Sequence, residues 1–153
     1  MSVDKRLADL GIEIPTPAVP VANYVPFVIS GNLVSVSGQV PVKDGKVAFE
    51  GKVGADVSID DACKAARLCA LNIIAQVKAA CGGDLNKVKR IVKLGGFVNC
   101  VDGFASQPQV INAASDLMVD VFGDAGKHSR SAVGTNALPL NVPVEIDALV
   151  EIG

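Results

Sequence analysis

The apolar run Phe27-Val28-Ile29 and the segment Leu33-Val34-Ser35-Val36-Ser37, where hydrophobic and polar residues alternate from Val34 onward, flank Ser30-Gly31-Asn32. This pattern predicts a hairpin of two strands. A third short strand is expected at Val47-Ala48-Phe49, after a turn at Lys43-Asp44-Gly45-Lys46. Beyond Ser58 the period changes. Ala62, Ala66, Cys69, Ile73 and Val77 recur close to every 3.6 residues, which predicts a helix lying on a sheet and stopping near Cys81 at Gly82-Gly83. Ser58 with Asp61 resembles a capping box, and Asp84 is placed to cap a short turn. Residues 88–98 read as a strand broken at Gly95-Gly96, and residues 107–122 as a second helix ended by Gly123. Residues 131–137 and 143–152 form the last two strands. Upstream, residues 3–10 suit a short helix with Val3, Leu7 and Leu10 on one side, whereas Pro15, Pro17, Pro20 and Pro26 impose an extended arm through residue 26. The order ββ(β)αβαββ predicts one α+β domain over residues 1–153, with two main helices on one face of a mixed sheet and residues 1–19 as an N-terminal arm.

The other face of that sheet also needs cover, and the composition points the same way. Half of the residues are hydrophobic and 20% are charged, with a mean hydropathy of +0.41. A folded chain of this mass exposes roughly 7,000 Å², which so few charges cover thinly. Burial against further copies of the chain is expected. No apolar stretch reaches the ~18 residues of a membrane span. Asp4, Lys5, Arg6 and Asp9 are followed by no apolar segment, so no secretory signal is expected. Cys63, Cys69, Cys81 and Cys100 show no CxxC and no histidine at zinc spacing; they read as reduced thiols in a cytoplasmic protein. Net charge is −2, tryptophan is absent and tyrosine occurs once, which argues against a nucleic-acid surface. Lys87, Lys89, Arg90 and Lys93 are the one basic cluster, and they read as the polar start of a strand.

Candidate chemistry lies near the C-terminus. Arg130 stands in the run Ser129-Arg130-Ser131-Ala132-Val133, and Glu145 in Val144-Glu145-Ile146-Asp147, across the turn at Leu138-Pro139. On adjacent strands the guanidinium and the carboxylate would reach one pocket, suited to a small carboxylate substrate attacked by an activated water. The same pair would equally serve as an ordinary ion pair across a hairpin. Glu145, Asp147 and Glu151 alternate as solvent-facing residues do, so Asp147 is not assigned to the chemistry.

Tyr24, the segment Ser37-Gly38-Gln39-Val40-Pro41, an asparagine on the second helix (Asn112), and the arginine and glutamate segments together resemble the reactive-intermediate deaminase family. This family is also known as the YjgF family and labelled endoribonuclease or translation inhibitor. The resemblance runs from about residue 20 to the C-terminus. It implies a chorismate-mutase-like fold, a homotrimer with clefts between subunits, and hydrolysis of imine and enamine acids such as 2-aminoacrylate to 2-oxo acids and ammonia. No metal or organic cofactor is implied. Carried over by residue, Arg130 would clamp the substrate carboxylate with the Gly38 N–H, and Glu145 would activate water. Ser37 and Tyr24 would line the cleft, and Asn112 would position the substrate. Two other readings stand beside this one: a non-catalytic module that binds small carboxylates, and a ribonuclease or translation inhibitor. The chain departs from the family pattern at His128, Ala132 and Asn136, in a longer segment around Gln107-Pro108-Gln109, and in the arm through Ile14. These departures mark a divergent subgroup. His128, a lone histidine in a loop, is expected to be exposed and without a role.

Overall fold

The last strand of the chain lies at the centre of the sheet. The computed structural model describes residues 2–17 and 23–153. Its elements are α1 (Val3–Leu10), β1 (Phe27–Ser30), β2 (Leu33–Gln39), β3 (Val42–Lys43), β4 (Lys46–Val47), α2 (Ile59–Ala80), β5 (Val88–Asn99), α3 (Gln107–Phe122), β6 (Ser129–Thr135) and β7 (Val144–Ile152). Five strands form one sheet in the order β1-β2-β7-β5-β6, and β3 with β4 forms a separate ribbon. β5 and β6 run parallel because the chain returns between them through α3, while the other neighbours are antiparallel. The architecture is the expected α+β sandwich with a mixed sheet. Residues 12–17 carry no regular structure, as the prolines require; Pro20 lies outside the described residues.

Both long helices cover the same face. On α2, Ala62, Ala66, Cys69, Ile73 and Val77 are buried, joined by Ile111, Ala114, Leu117 and Met118 of α3 and by Val34, Leu94, Ile146 and Val150 of the sheet. Ser58 accepts a hydrogen bond from the Asp61 N–H at the start of α2, so the predicted cap forms. Asn72, buried on α2, donates to the carbonyls of Val40 and Val42 at 3.0 Å and ties the helix to the β2–β3 link.

Two local expectations are corrected. The short third strand is Lys46–Val47 rather than 47–49, and it pairs with Val42–Lys43 around Asp44 and Gly45, both left-handed, as a two-residue hairpin turn requires. The strand β5 is continuous through Gly95-Gly96. These glycines answer to space: a Cβ on Gly96 would lie 2.7 Å from the Ile111 side chain, and one on Gly95 would strike the Asp147 carboxylate.

Candidate active site

Strand alternation divides the candidate residues between the two faces of the sheet. Arg130 is in register with Leu94, which pairs in turn with Ala148, and this row points into the helix layer. Glu145 shares a row with Phe97 and Val133 on the face that carries no helix. Moreover, β6 and β7 are not neighbours, because β5 runs between them. Within one subunit Arg130 and Glu145 therefore do not share a pocket, contrary to the adjacent-strand reading, and no ion pair links them.

On the open face, Ser37, Gly38 and Glu145 come together. A bulge in β2 between Val36 and Gln39 breaks its register with β7 and re-aims the chain at this point. A Cβ on Gly38 would lie 2.9 Å from both Cδ and Oε2 of Glu145. Gly38 does not have a positive φ, so glycine is needed there to let the carboxylate lie over the backbone. Ser37 donates its hydroxyl to the Val25 carbonyl at 2.7 Å, and its N–H bonds the Pro26 carbonyl. These two bonds dock the segment carrying Tyr24, whose ring is exposed. Beside them lies a shallow cleft of about 400 Å³ lined by residues that include Ser35, Ser37, Gly38, Lys93 and Asp147. Burial raises the Glu145 carboxyl above its ordinary value, and the Asp147 charge adds to the shift. Burial raises Asp147 as well, against the Gly95 N–H and Lys93. Burial thus shifts the Glu145 carboxyl toward its neutral form.

On the helix side, Arg130 projects from the edge strand β6 onto α3. Its Nη1 donates to Ser115 Oγ at 3.0 Å and its Nη2 to the Pro108 carbonyl at 3.3 Å. Asn112 lies four residues beyond Pro108 and three before Ser115, on the same ridge of α3 as both contacts. Among the described residues the ion pairs are Lys5–Asp9, Lys64–Asp61 and Lys127–Asp124, so the Arg130 charge meets only neutral oxygens.

His128 is not the exposed, idle histidine expected. It is half-buried, with Nε2 2.8 Å from Ser115 Oγ and Nδ1 2.6 Å from the Gly126 carbonyl. Sequence reasoning also missed Lys52, whose ammonium donates to Asn99 Oδ1 at 2.8 Å and to the carbonyls of Cys100 and Asn136. This clamp fixes the end of β5 against the loop that leads to β7. The basic cluster disperses: Arg90 is spent on the carbonyls of Asp124 and Lys127, Lys89 lies along Gly153, and Lys93 lines the cleft near Asp147. Among the described residues no three His, Cys, Asp or Glu side chains converge as a metal site requires, and no helix is long and apolar enough to cross a membrane.

The chain is similar to known proteins along nearly its whole length. The chain is 46% identical to Protein TCP17 of Trypanosoma cruzi over 151 residues, covering 98% of this chain and 94% of that one. The crystal structure of Atu1372 from Agrobacterium tumefaciens, a protein of unknown function, superimposes with a TM-score of 0.92 at 54% identity, covering 99% of this chain and 92% of that chain. The crystal structure of E. coli TdcF with bound serine matches with a TM-score of 0.64 at 25% identity, covering 92% and 96%. The family model described as YjgF/chorismate mutase-like matches residues 4–152, and the chain belongs to that family.

Proposed function

We propose that this protein hydrolyses small 2-imino acids, 2-aminoacrylate in its imine form among them, to 2-oxo acids and ammonia, in clefts between the subunits of a homotrimer. The observation that carries this reading is the unpaired Arg130 guanidinium. It is held by two neutral oxygens beside Asn112, and several of its N–H groups remain free to take a carboxylate in a bidentate grip. The serine bound by E. coli TdcF is itself a small α-carboxylate.

Arg130 and Glu145 act on one substrate only if they come from different subunits, since a single sheet separates them. The helix-free face supplies the means: it presents Val28, Leu33 and Val133 alongside the Glu145 row, an apolar surface that a second copy would cover. In the assembled cleft, Arg130 of one subunit and the Gly38 N–H of its neighbour hold the carboxylate. Glu145 takes a proton from water as the oxygen bonds to the imine carbon. Glu145 returns that proton to the imine nitrogen, which completes the carbinolamine. The carbinolamine hydroxyl then passes its proton by way of Glu145 to the amine as the C–N bond breaks, releasing ammonia and leaving the 2-oxo acid. A carboxyl raised toward neutrality suits these proton transfers. Ser37 and Tyr24 line the same cleft, and no step calls on a cofactor.

The test is to generate 2-aminoacrylate with a serine dehydratase and follow pyruvate release. The wild-type protein should accelerate release, and Arg130→Ala should abolish the acceleration. If the wild type accelerates neither serine- nor threonine-derived imines, the catalytic reading fails and a carboxylate-binding module takes its place.

A further inference from the structure

We propose that Ser115 and His128 form a hydrogen-bonded relay that sets the orientation of the Arg130 guanidinium, which makes both of them positioning residues for carboxylate recognition. The proposal rests on the reading of Arg130 as the carboxylate clamp. Neither residue touches substrate in this arrangement; each acts through the arginine.

The direction of every hydrogen bond follows from what its ends can do. The Gly126 carbonyl only accepts, so the His128 Nδ1 that lies 2.6 Å away carries the proton. Arg130 Nη1 only donates, so Ser115 Oγ accepts from it at 3.0 Å. The Ser115 hydroxyl then donates to Nε2 of the neutral ring at 2.8 Å. The chain Arg130→Ser115→His128→Gly126 thus runs one way, with each donor satisfied. An imidazolium would make Ser115 Oγ accept twice and leave its own hydroxyl proton without this acceptor. The neutral Nδ1–H tautomer is the one that fits.

The far end of this relay is rigid. Gly126 packs so closely on the Met118 backbone that a Cβ there would collide with the Met118 carbonyl. Arg90 pins the same loop from the other side, donating to the carbonyls of Asp124 and Lys127. The Gly126 carbonyl is therefore a fixed acceptor, and its position passes through the imidazole and the serine hydroxyl to one edge of the guanidinium. The second edge is set by the Pro108 carbonyl. An arginine on an edge strand, with no carboxylate to hold it, would otherwise lose its orientation among many rotamers. Fixing two of its nitrogens leaves the remaining N–H groups aimed in one direction, and this preorganisation lowers the entropy lost on binding an anion.

Two readouts test the relay. In ¹⁵N-labelled protein, the His128 ring should show a protonated Nδ1 and an unprotonated Nε2, and Ser115→Ala should broaden the Arg130 side-chain N–H resonance while backbone amides of α3 and β6 stay in place. In the coupled imine assay, with substrate concentration set by the amount of dehydratase, Ser115→Ala and His128→Ala should each raise KM about tenfold, the scale of a lost hydrogen bond to a charged group, with kcat within about twofold. Ser115→Thr and His128→Gln, which keep the hydroxyl and the acceptor, should restore KM. An unchanged KM in Ser115→Ala, in a wild type whose turnover depends on Arg130, overturns the proposal; so does a ring protonated at Nε2 alone. If the wild type shows no turnover, the deaminase reading has failed separately. Pyruvate titration then decides the relay: Ser115→Ala should weaken Arg130-dependent pyruvate binding about tenfold, and equal binding overturns it.

Discussion

Arg130 and Glu145 face away from each other across one sheet, with β5 between the strands that carry them. If both serve one reaction, two damaged subunits must be able to repair each other. Arg130→Ala and Glu145→Gln should each be inactive alone. Mixed in equal amounts during refolding, they should recover about one quarter of wild-type activity, because in a random closed trimer a site draws an intact arginine and an intact glutamate each with even odds. Activity that stays at zero in demonstrably mixed trimers would place both residues in one subunit's site, against the geometry.

Gly38→Ala should act through Glu145. The added methyl would sit 2.9 Å from the carboxylate carbon in a strand whose φ tolerates alanine, so the side chain must give way. Turnover should fall by about 10²-fold or more, at the low end of the loss expected for misplacing an acid–base group. Stability should change by no more than about 1–3 kcal/mol. Thermal melts measured beside the kinetics separate the two effects. A variant with wild-type turnover would mean that Glu145 need not lie over the glycine.

How legible was all this in the chain? The two long helices were, because their signals are local: Ser58 caps α2, Gly123 closes α3, and the buried residues of each recur at helical spacing. The Gly95-Gly96 break was misread because what those glycines accommodate, Asp147 and Ile111, comes from distant segments. The same holds for Arg130 and Glu145. A hairpin is the economical guess for two strands joined by a proline-bearing turn, but β5, whose residues pair in parallel with β6 residues 36 positions later, takes the place between them. No local pattern encodes that insertion. The role of His128 was hidden for a related reason, since its partner Ser115 lies on α3. One signal was available: Pro108, Asn112 and Ser115 fall on one helical ridge, and a polar ridge facing a strand arginine invites a hydrogen-bond network.

Lys52 offers a test of the scaffold apart from the chemistry. Its ammonium is shared by three oxygens, one of them on the buried Asn99 side chain. Lys52→Met keeps the apolar stem and removes the donor, leaving Asn99 Oδ1 without this partner. Stability should fall by about 1–3 kcal/mol, read as a drop in Tm of about 2–4 °C for each kcal/mol. Because the clamp secures the loop before β7, turnover should fall with it. An unchanged melt would show that water replaces the ammonium at no cost.

The acid limb of the pH–rate profile should be set by Glu145 and tuned by Asp147. Burial is the larger cause of the raised Glu145 pKa, and the Asp147 charge is the second. As a base Glu145 works ionised, so activity should rise with pH through a midpoint above the ordinary carboxylate range. Asp147→Asn removes the neighbouring charge and should move that midpoint down while leaving most of the shift in place; an upward move would contradict the assignment. The same groups link pH to stability. A carboxyl whose pKa is higher in the folded than in the unfolded chain binds its proton more tightly when folded. Its contribution is fully present below the unfolded value and is lost as pH rises through the folded one. Glu145→Gln should therefore raise Tm relative to wild type at pH 7, with the gain shrinking as pH falls through the raised folded value and gone below the ordinary glutamate range. A gain that grew toward acid pH would mean that the folded protein stabilises the Glu145 anion, and the base would have to be sought elsewhere.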